Sequence, residues 1–373
     1  MKRVRIRVLN RRNYSVESLK YYVHDISPFA LHFTGNIGIR WYGLSYMIGF
    51  ICSYFLIKWI CEKQKLGLAP EMVSDFITYC AIGTMVGGRL GYCLFYSPDL
   101  FIKFKSELPF WGVLAVNEGG MASHGGMIGI VVACLVFAAK KGISTLYLLD
   151  LVCLCGPIGF FFGRIANFIN GELIGRPIQS AVAWAVKFPT DMLSWSMSDT
   201  ARFQGLGEAY AKLGGSKDQW LLWVDQMKYD LKAKESITDF IHKVIQQIQV
   251  GDKELASKIE PLLIPRHPSQ LYAALIEGLL VFVLLFLFWR KPRKLGTVGA
   301  LFGILYSLGR MFDEFYRLPD AHIGYQLFDL TRGQWLSIGF AFIALTLGGI
   351  WQRTGTITSP GWGKVESIKL GRK

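Results

Sequence analysis

The chain has 373 residues, 52% of them hydrophobic and only 18% charged, a composition poorly suited to a soluble globular domain, so much of its apolar surface must face lipid. The formal net charge of +14 gathers at the ends of apolar stretches and in a basic start, Lys2, Arg3, Arg5, Arg7, Arg11 and Arg12. Basic flanks of apolar runs mark membrane topology and anionic lipid; no basic stripe with interleaved aromatics lies in a polar segment, which excludes a nucleic-acid partner.

Residues 1–40 read as an N-terminal tail and interfacial segment, and the polar stretch before Trp41 is unlike a cleaved signal peptide. A bilayer core of about 30 Å needs about 20 apolar residues in a helix, because lipid offers no partner to an open backbone group. Seven stretches qualify, near residues 42–60, 74–96, 122–139, 145–163, 271–289, 297–312 and 334–351. The expected fold class is therefore an all-α polytopic membrane protein with about seven transmembrane helices. Helices one to four fall in 41–187 with the polar motifs, and helices five to seven in 261–351. Between them, 188–260 is polar and helix-like, with Trp220, Leu221, Trp223, Val224 and Met227 at helical spacing, which predicts an extracytoplasmic helical head with a small core of its own. Residues 352–373 form a basic tail.

Orientation follows from the short loops. Lys58, Lys63 and Lys65 follow the first stretch, Lys140 and Lys141 the third, and Arg290, Lys291, Arg293 and Lys294 the fifth. All fall on one side with the C-terminal tail, which the positive-inside tendency makes cytoplasmic and which leaves the N-terminus outside. The seven cysteines, Cys52, Cys61, Cys80, Cys93, Cys134, Cys153 and Cys155, lie in or beside apolar runs and read as packing residues. Neither they nor the histidines and carboxylates show ligand spacing, so no metal and no cofactor is expected.

A charge at mid-bilayer costs about 2.5–3.5 kcal/mol, so each one kept there should be paired or functional. This chain keeps Arg89, His124, Asp150, Glu277, Arg310, Asp313 and Glu314 in or at the ends of its apolar stretches. Three runs go beyond single charges. In Glu118-Gly-Gly-Met-Ala-Ser-His124-Gly-Gly-Met-Ile-Gly129, glycines permit a close backbone approach and one imidazole is presented, a natural proton acceptor near neutral pH. In Gly163-Arg164-Ile-Ala-Asn167-Phe-Ile-Asn170-Gly-Glu172-Leu-Ile-Gly175-Arg176-Pro177, the side chains of Arg164, Asn167 and Asn170 recur at steps of three and offer donors to an anion, with Glu172 available to orient an arginine. In Gly309-Arg310-Met-Phe-Asp-Glu314-Phe-Tyr-Arg317-Leu-Pro319-Asp320, Arg310 and Glu314 share a face at i, i+4. Two arginine centres and an imidazole in an apolar setting suit a ligand that is part phosphate and part acyl chain.

At these residues the chain resembles the bacterial prolipoprotein diacylglyceryl transferases, seven-span inner-membrane enzymes. The likeness runs from about Phe29 to Trp351 and also takes in Arg40-Trp-Tyr42-Gly, Arg266-His-Pro-Ser-Gln-Leu-Tyr272 and Gly333-Gln-Trp-Leu-Ser337. It implies transfer of the diacylglyceryl group of phosphatidylglycerol to the lipobox cysteine thiol of a prolipoprotein signal peptide, with a thioether formed and glycerol 1-phosphate released. By position, the family's phosphatidylglycerol-binding arginine falls on Arg164, with Asn167, Glu172 and Gly175 beside it. Its essential histidine falls on His124, its second essential arginine on Arg310 with Glu314, and its functional tyrosines on Tyr42 and Tyr306. Ala166, Ala273 and Gly339 depart from the family's usual glycine, acid and proline, and 188–260 is longer than the family's typical head. A transporter or flippase of anionic lipid is the rival reading, because it would use the same arginines without a base; within the transferase reading His124 is the candidate base, the alternative being that it only orients lipid and the thiol loses its proton to water at the interface.

Overall fold

The computed structural model describes residues 20–34, 37–64, 67–106, 109–116, 119–318 and 325–363. The basic cluster at 2–12, Lys65, Glu118, Pro319, Asp320 and the tail from Lys364 onward lie outside the described residues. Helices dominate: α1 Trp41–Gln64, α2 Val73–Phe95, α3 Ser123–Lys141, α4 Thr145–Ile169, α5 Thr200–Lys212, α6 Lys217–Gln226, α7 Leu231–Gln249, α8 Lys253–Ile259, α9 Ser269–Phe288, α10 Thr297–Asp313 and α11 Arg332–Thr354. Strands are short, and no sheet among the described residues exceeds three strands.

Five helices, α1, α3 from His124, α4, α9 and α11, are long and apolar enough to cross a membrane. The other two expected spans are helical but fall short of that standard. Ser74, Asp75 and Arg89 and the glycines of α2 dilute its hydropathy, and the 17 residues of α10 extend only about 26 Å at 1.5 Å per residue.

The chain forms two compact units, one of Met1–Trp41, Ala166–Tyr272 and Phe315–Asp320, the other of Tyr42–Ile165, Ala273–Glu314 and Ala321–Lys373. The second unit, which carries most of the apolar helices, is centred on Ile57, Ile60, Phe76, Phe137, Leu148, Leu151, Leu285 and Trp289. Two of its features come from polar or absent side chains. Asp150, on α4, accepts hydrogen bonds from the backbone N–H groups of Gly296 and Gly299 at 2.7 and 2.8 Å. It thereby caps the N-terminus of α10, whose first amides have no partner within the helix. Helices α2 and α3 meet backbone to backbone: a side chain on Gly125 or Gly129 would overlap the carbonyl oxygens of Gly87 and Gly83, and one on Gly91 would stand 2.8 Å from the Gly125 Cα. The close approach expected of the His124-Gly-Gly run is thus to a neighbouring helix, the way small residues pack spans in lipid, where helix association rests on van der Waals contact.

In the first unit, α5 to α8 enclose Trp195, Phe203, Leu206, Trp220, Ile237, Ile241, Ile245 and Leu255. Asp199, Ser216, Asp230 and Asp252 cap the four helices through their side chains. On α7, Ile237, Ile241, Val244, Ile245 and Ile248 supply one apolar stripe. Trp220 is buried against Phe203 and Phe240, with ring centroids 5.5 and 5.4 Å away, while Leu221 is exposed. The same unit holds a three-stranded sheet in which β4, Val186–Lys187, pairs in parallel with β1, Tyr22–Val23, and antiparallel with β5, Pro265–Arg266. It also holds a hairpin of β2, Phe29–Thr34, and β3, Ile37–Arg40.

The glycine seam carries a direct consequence. Gly129→Val would force α3 away from α2, and such overpacking destabilises by about 1–3 kcal/mol; a lowered thermal unfolding temperature in detergent, larger than that of Gly142→Ala in the open turn after α3, is the expected result.

Candidate active site

In the unit rich in apolar helices, three helices bring five charged groups together. Arg164, near the C-terminal end of α4, donates from Nη2 to Glu277 Oε2 at 2.9 Å. The other oxygen of Glu277, on α9, lies 3.5 Å from Arg310 Nη1 on α10. Arg310 also pairs with Asp313 at 2.8 Å and, through Nη2, with Glu314. Spacings of three and four along one helix place Arg310, Asp313 and Glu314 on a common face. Glu277 has no exposed side-chain surface, and Arg164 and Arg310 retain only 16% and 11% of theirs, so removing one partner would strand a charge in a low dielectric. The helix carrying Glu277 widens to a π-helix over Ala274–Leu280, a distortion frequent at functional sites.

Glu314 is held in turn. Its Oε2 accepts from Thr331 Oγ1 at 2.9 Å, and Thr331 caps α11 in a reciprocal capping box with Gln334. A Cβ on Gly333 would stand 2.5 Å from Glu314 Oε1 and 3.3 Å from Arg310 Nη2, which explains the glycine that opens the Gly333-Gln-Trp-Leu-Ser337 run. Tyr306, one turn before Arg310, stacks on Phe160 and Phe302 with centroids 5.0 and 5.7 Å away and lies within electrostatic range of Glu277, Arg164, Arg310 and Asp313.

The remaining expected site residues lie on α1, on α3 and between the end of α4 and Gly175. His124 is the second residue of α3, exposed, with no hydrogen bond to its imidazole among the described residues. Tyr42, in the first turn of α1, is half-buried and stacks with Tyr46 at 6.4 Å.

Asn167, Glu172 and Gly175 belong to the unit of short strands. Asn167 is buried and its carbonyl accepts from the Glu172 amide at 2.9 Å. The carboxylate that pairs with Arg164 is Glu277, whereas the exposed Glu172 opens a turn that Gln270 and Ser269 fasten through the carbonyls of Glu172 and Leu173. Gly171 at φ 66° and Leu173 at φ 52° turn the backbone into the left-handed region. Gly175 has no room for a side chain, since a Cβ would stand 2.9 Å from the Tyr316 carbonyl and overlap that of His267. Arg266 fixes the turn by donating to the Gly175 carbonyl at 3.1 Å while gripping Asp191 with Nε and Nη2 at 2.9 and 3.0 Å. Asp191 escaped the sequence analysis because it lies 75 residues from its partner in a segment with no motif.

The order of these residues along the chain is that of a known family. A model described as prolipoprotein diacylglyceryl transferase matches residues 28–350. The chain belongs to this family. Three relatives are named phosphatidylglycerol--prolipoprotein diacylglyceryl transferase. The one from Bdellovibrio bacteriovorus is 57% identical over 351 residues, covering 94% of this chain and all of the relative. Those from Ralstonia pickettii and Idiomarina loihiensis are 33% and 34% identical, covering 87% and 86% of this chain and 92% of each relative. Family membership and the apolar helices make this a multi-pass bacterial membrane protein.

Two measurements follow from this family member's strand-bearing unit. Asp191→Ala leaves the Arg266 guanidinium buried without its carboxylate and should cost about 3–5 kcal/mol, seen as a lowered unfolding temperature with faster amide exchange over 171–177. His24 lies between Phe168 and Phe188, 5.3 Å from each ring centroid, with no hydrogen bond to Nε2 among the described residues; burial pushes its pKa from 6.5 down to about 4. The unfolded chain therefore binds the proton first, and stability is full above pH 6.5 and falls as pH drops toward 4, by about 3 kcal/mol. In unfolding scans from pH 7.5 to 4, His24→Phe should lose that part of the decline.

Proposed function

We propose that this chain transfers the diacylglyceryl group of phosphatidylglycerol to the lipobox cysteine thiol of a prolipoprotein signal peptide. The observation that carries the reading is the buried centre in which Glu277 joins two guanidiniums from separate helices, and the names of the relatives supply its substrates. The centre formally holds two cations and three carboxylates, so the carboxylates orient the arginines more than they leave charge to spare. Arg164 uses one end of its fork on Glu277, and its Nε and Nη1 make no hydrogen bond among the described residues. Those donors would face a phosphate.

In this reading the thiolate sulfur attacks the glyceryl carbon that bears the phosphodiester oxygen. The C–S bond forms as the C–O bond breaks, and its electron pair leaves on the phosphate of glycerol 1-phosphate. A thiol of pKa about 8.5 is mostly protonated at neutral pH, so a base is needed. His124 takes that proton, and Arg164 and Arg310 stabilise the charge gathering on the leaving phosphate, where low dielectric strengthens the effect. Asn167, Glu172, Gly175, Tyr42, Tyr306 and Glu314 are the further residues that the family resemblance assigns to lipid binding. The proposed step calls for no metal or cofactor.

The same proposal places the protein in the bacterial inner membrane with seven spans, α2 and α10 completing the five, the N-terminus outside, the C-terminus cytoplasmic, and α5 to α8 forming an extracytoplasmic head.

Mass spectrometry of a lipobox peptide incubated with purified protein and phosphatidylglycerol tests the reaction. Wild type should add one diacylglyceryl mass per cysteine, and Arg164→Ala should reduce the yield by at least about 100-fold, the scale on which a preorganised charge acts. Folded wild type that gives no thioether would favour the movement of anionic lipid across the membrane.

A further inference from the structure

Arg89 is a buried cation that the reaction scheme leaves without a task. It lies near the end of α2, and among the described residues no carboxylate pairs with it. Carbonyls take four of its five N–H donors instead: Nε donates to Val113 at 2.7 Å, Nη2 to Gly112 at 2.7 Å, and Nη1 to Gly120 at 2.9 Å and to Gly119. These acceptors come from the two described stretches, 112–116 and 119–122, that precede α3. Gly119 and Gly120 turn their carbonyls toward it by adopting φ of +84° and +80°, and a Cβ on Gly120 would stand 2.8 Å from Nη1. Arg89 also lies over the Tyr92 ring, 5.7 Å from its centroid. The neighbouring Gly88 carbonyl accepts from the Ala122 amide at 2.9 Å. The polypeptide is thus tied to α2 at 112, 113, 119, 120 and 122, and His124 follows two residues later, where Gly125 packs on Gly87 and Gly91.

We propose that Arg89 is a positioning residue for His124: its guanidinium gathers the carbonyls of Gly112, Val113, Gly119 and Gly120 so that α3 begins at a fixed place and presents the imidazole to the thiol. The proposal rests on the proposed function, in which His124 is the base. A forked donor is required. Lysine keeps the charge but, as a point donor on a flexible stem, cannot reach carbonyls on several sides at once. Gly120 offers a second handle on the same loop, since alanine there strains the backbone and crowds Arg89 and Tyr92 from the opposite side.

The test measures kcat and the KM for phosphatidylglycerol of lipobox-peptide modification for wild type, Arg89→Lys, Gly120→Ala and the double variant, with amide exchange over 112–124. Each single variant should lower kcat by about 10- to 100-fold, as a misplaced catalytic group does, with KM within about twofold and faster exchange confined to 112–124. Because both changes act through one loop, the double variant should fall within about threefold of the worse single. Should Arg89→Lys not fold, Gly120→Ala alone must show the loss in kcat at unchanged KM. A loss in KM in place of kcat, multiplied effects in the double variant, or a loosened loop with kcat within about twofold of wild type would each overturn the assignment. Wild type without turnover would instead overturn the reaction, a failure that the exchange data keep separate from the loop.

Discussion

A carboxylate without exposed surface, placed between two guanidiniums, sets the terms for the apolar unit of this protein. Glu277 is affordable in a low-dielectric interior only because Arg164 and Arg310 answer it from two other helices. The arginines, in turn, are held among the described residues by carboxylates. Arg310 is anchored again by Asp313 and Glu314, and Glu314 is tied through Thr331 to the first turn of α11. One electrostatic chain therefore runs from α4 through α9 and α10 to α11, and each link both satisfies a buried charge and fixes a helix. In the proposed reaction a site prepared this way would meet an incoming phosphate with donors already aimed, which is where enzymes gain most from electrostatics.

Glycine does for α2 and α3 what ion pairs do for those helices. The α2–α3 seam is close because neither backbone carries a side chain at the crossing. Just before the helix bearing His124, the carbonyls of Gly112, Val113, Gly119 and Gly120 gather around Arg89. Buried arginine is thus used in two opposite ways in this chain, paired with carboxylates at 164 and 310 and with backbone oxygens at 89. The two uses differ in what they leave over: among the described residues Arg164 keeps Nε and Nη1 without a hydrogen bond, whereas Arg89 has four of its five N–H donors spent on the chain.

The strand-bearing unit fixes Asn167, Glu172 and Gly175 by backbone stitching. The turn from Gly171 to Arg176 is closed by Gln270, Ser269, Tyr316 and the Arg266–Asp191 clamp, so Gly175 serves by its lack of a side chain. The aromatic and aliphatic core of α5 to α8 lies in the same unit and is complete on its own terms, with a cap at each helix start.

Much of this was legible in the residues. Apolar stretches near the right lengths predicted the helices, and the helical stripe of 188–260 predicted a packed core, with Trp220 in it. Charges at three and four residue spacing predicted the shared face of Arg310 and Glu314, because that spacing is local. The capacity of the five helices to cross a membrane is likewise a property of length and composition. Tertiary structure decided the partners. That Arg164 meets Glu277, that Asp150 caps α10, that Arg266 grips Asp191 and that Arg89 closes on four carbonyls all depend on groups far apart in the chain, which no periodicity of 3.6 residues encodes. The glycines of the His124 run were visible as a demand for close approach, but only the packed helices show what approaches. The physical reason is the same in each case: a sequence fixes what a residue requires, burial or a counter-charge or empty space, and the folded chain alone determines which distant group supplies it.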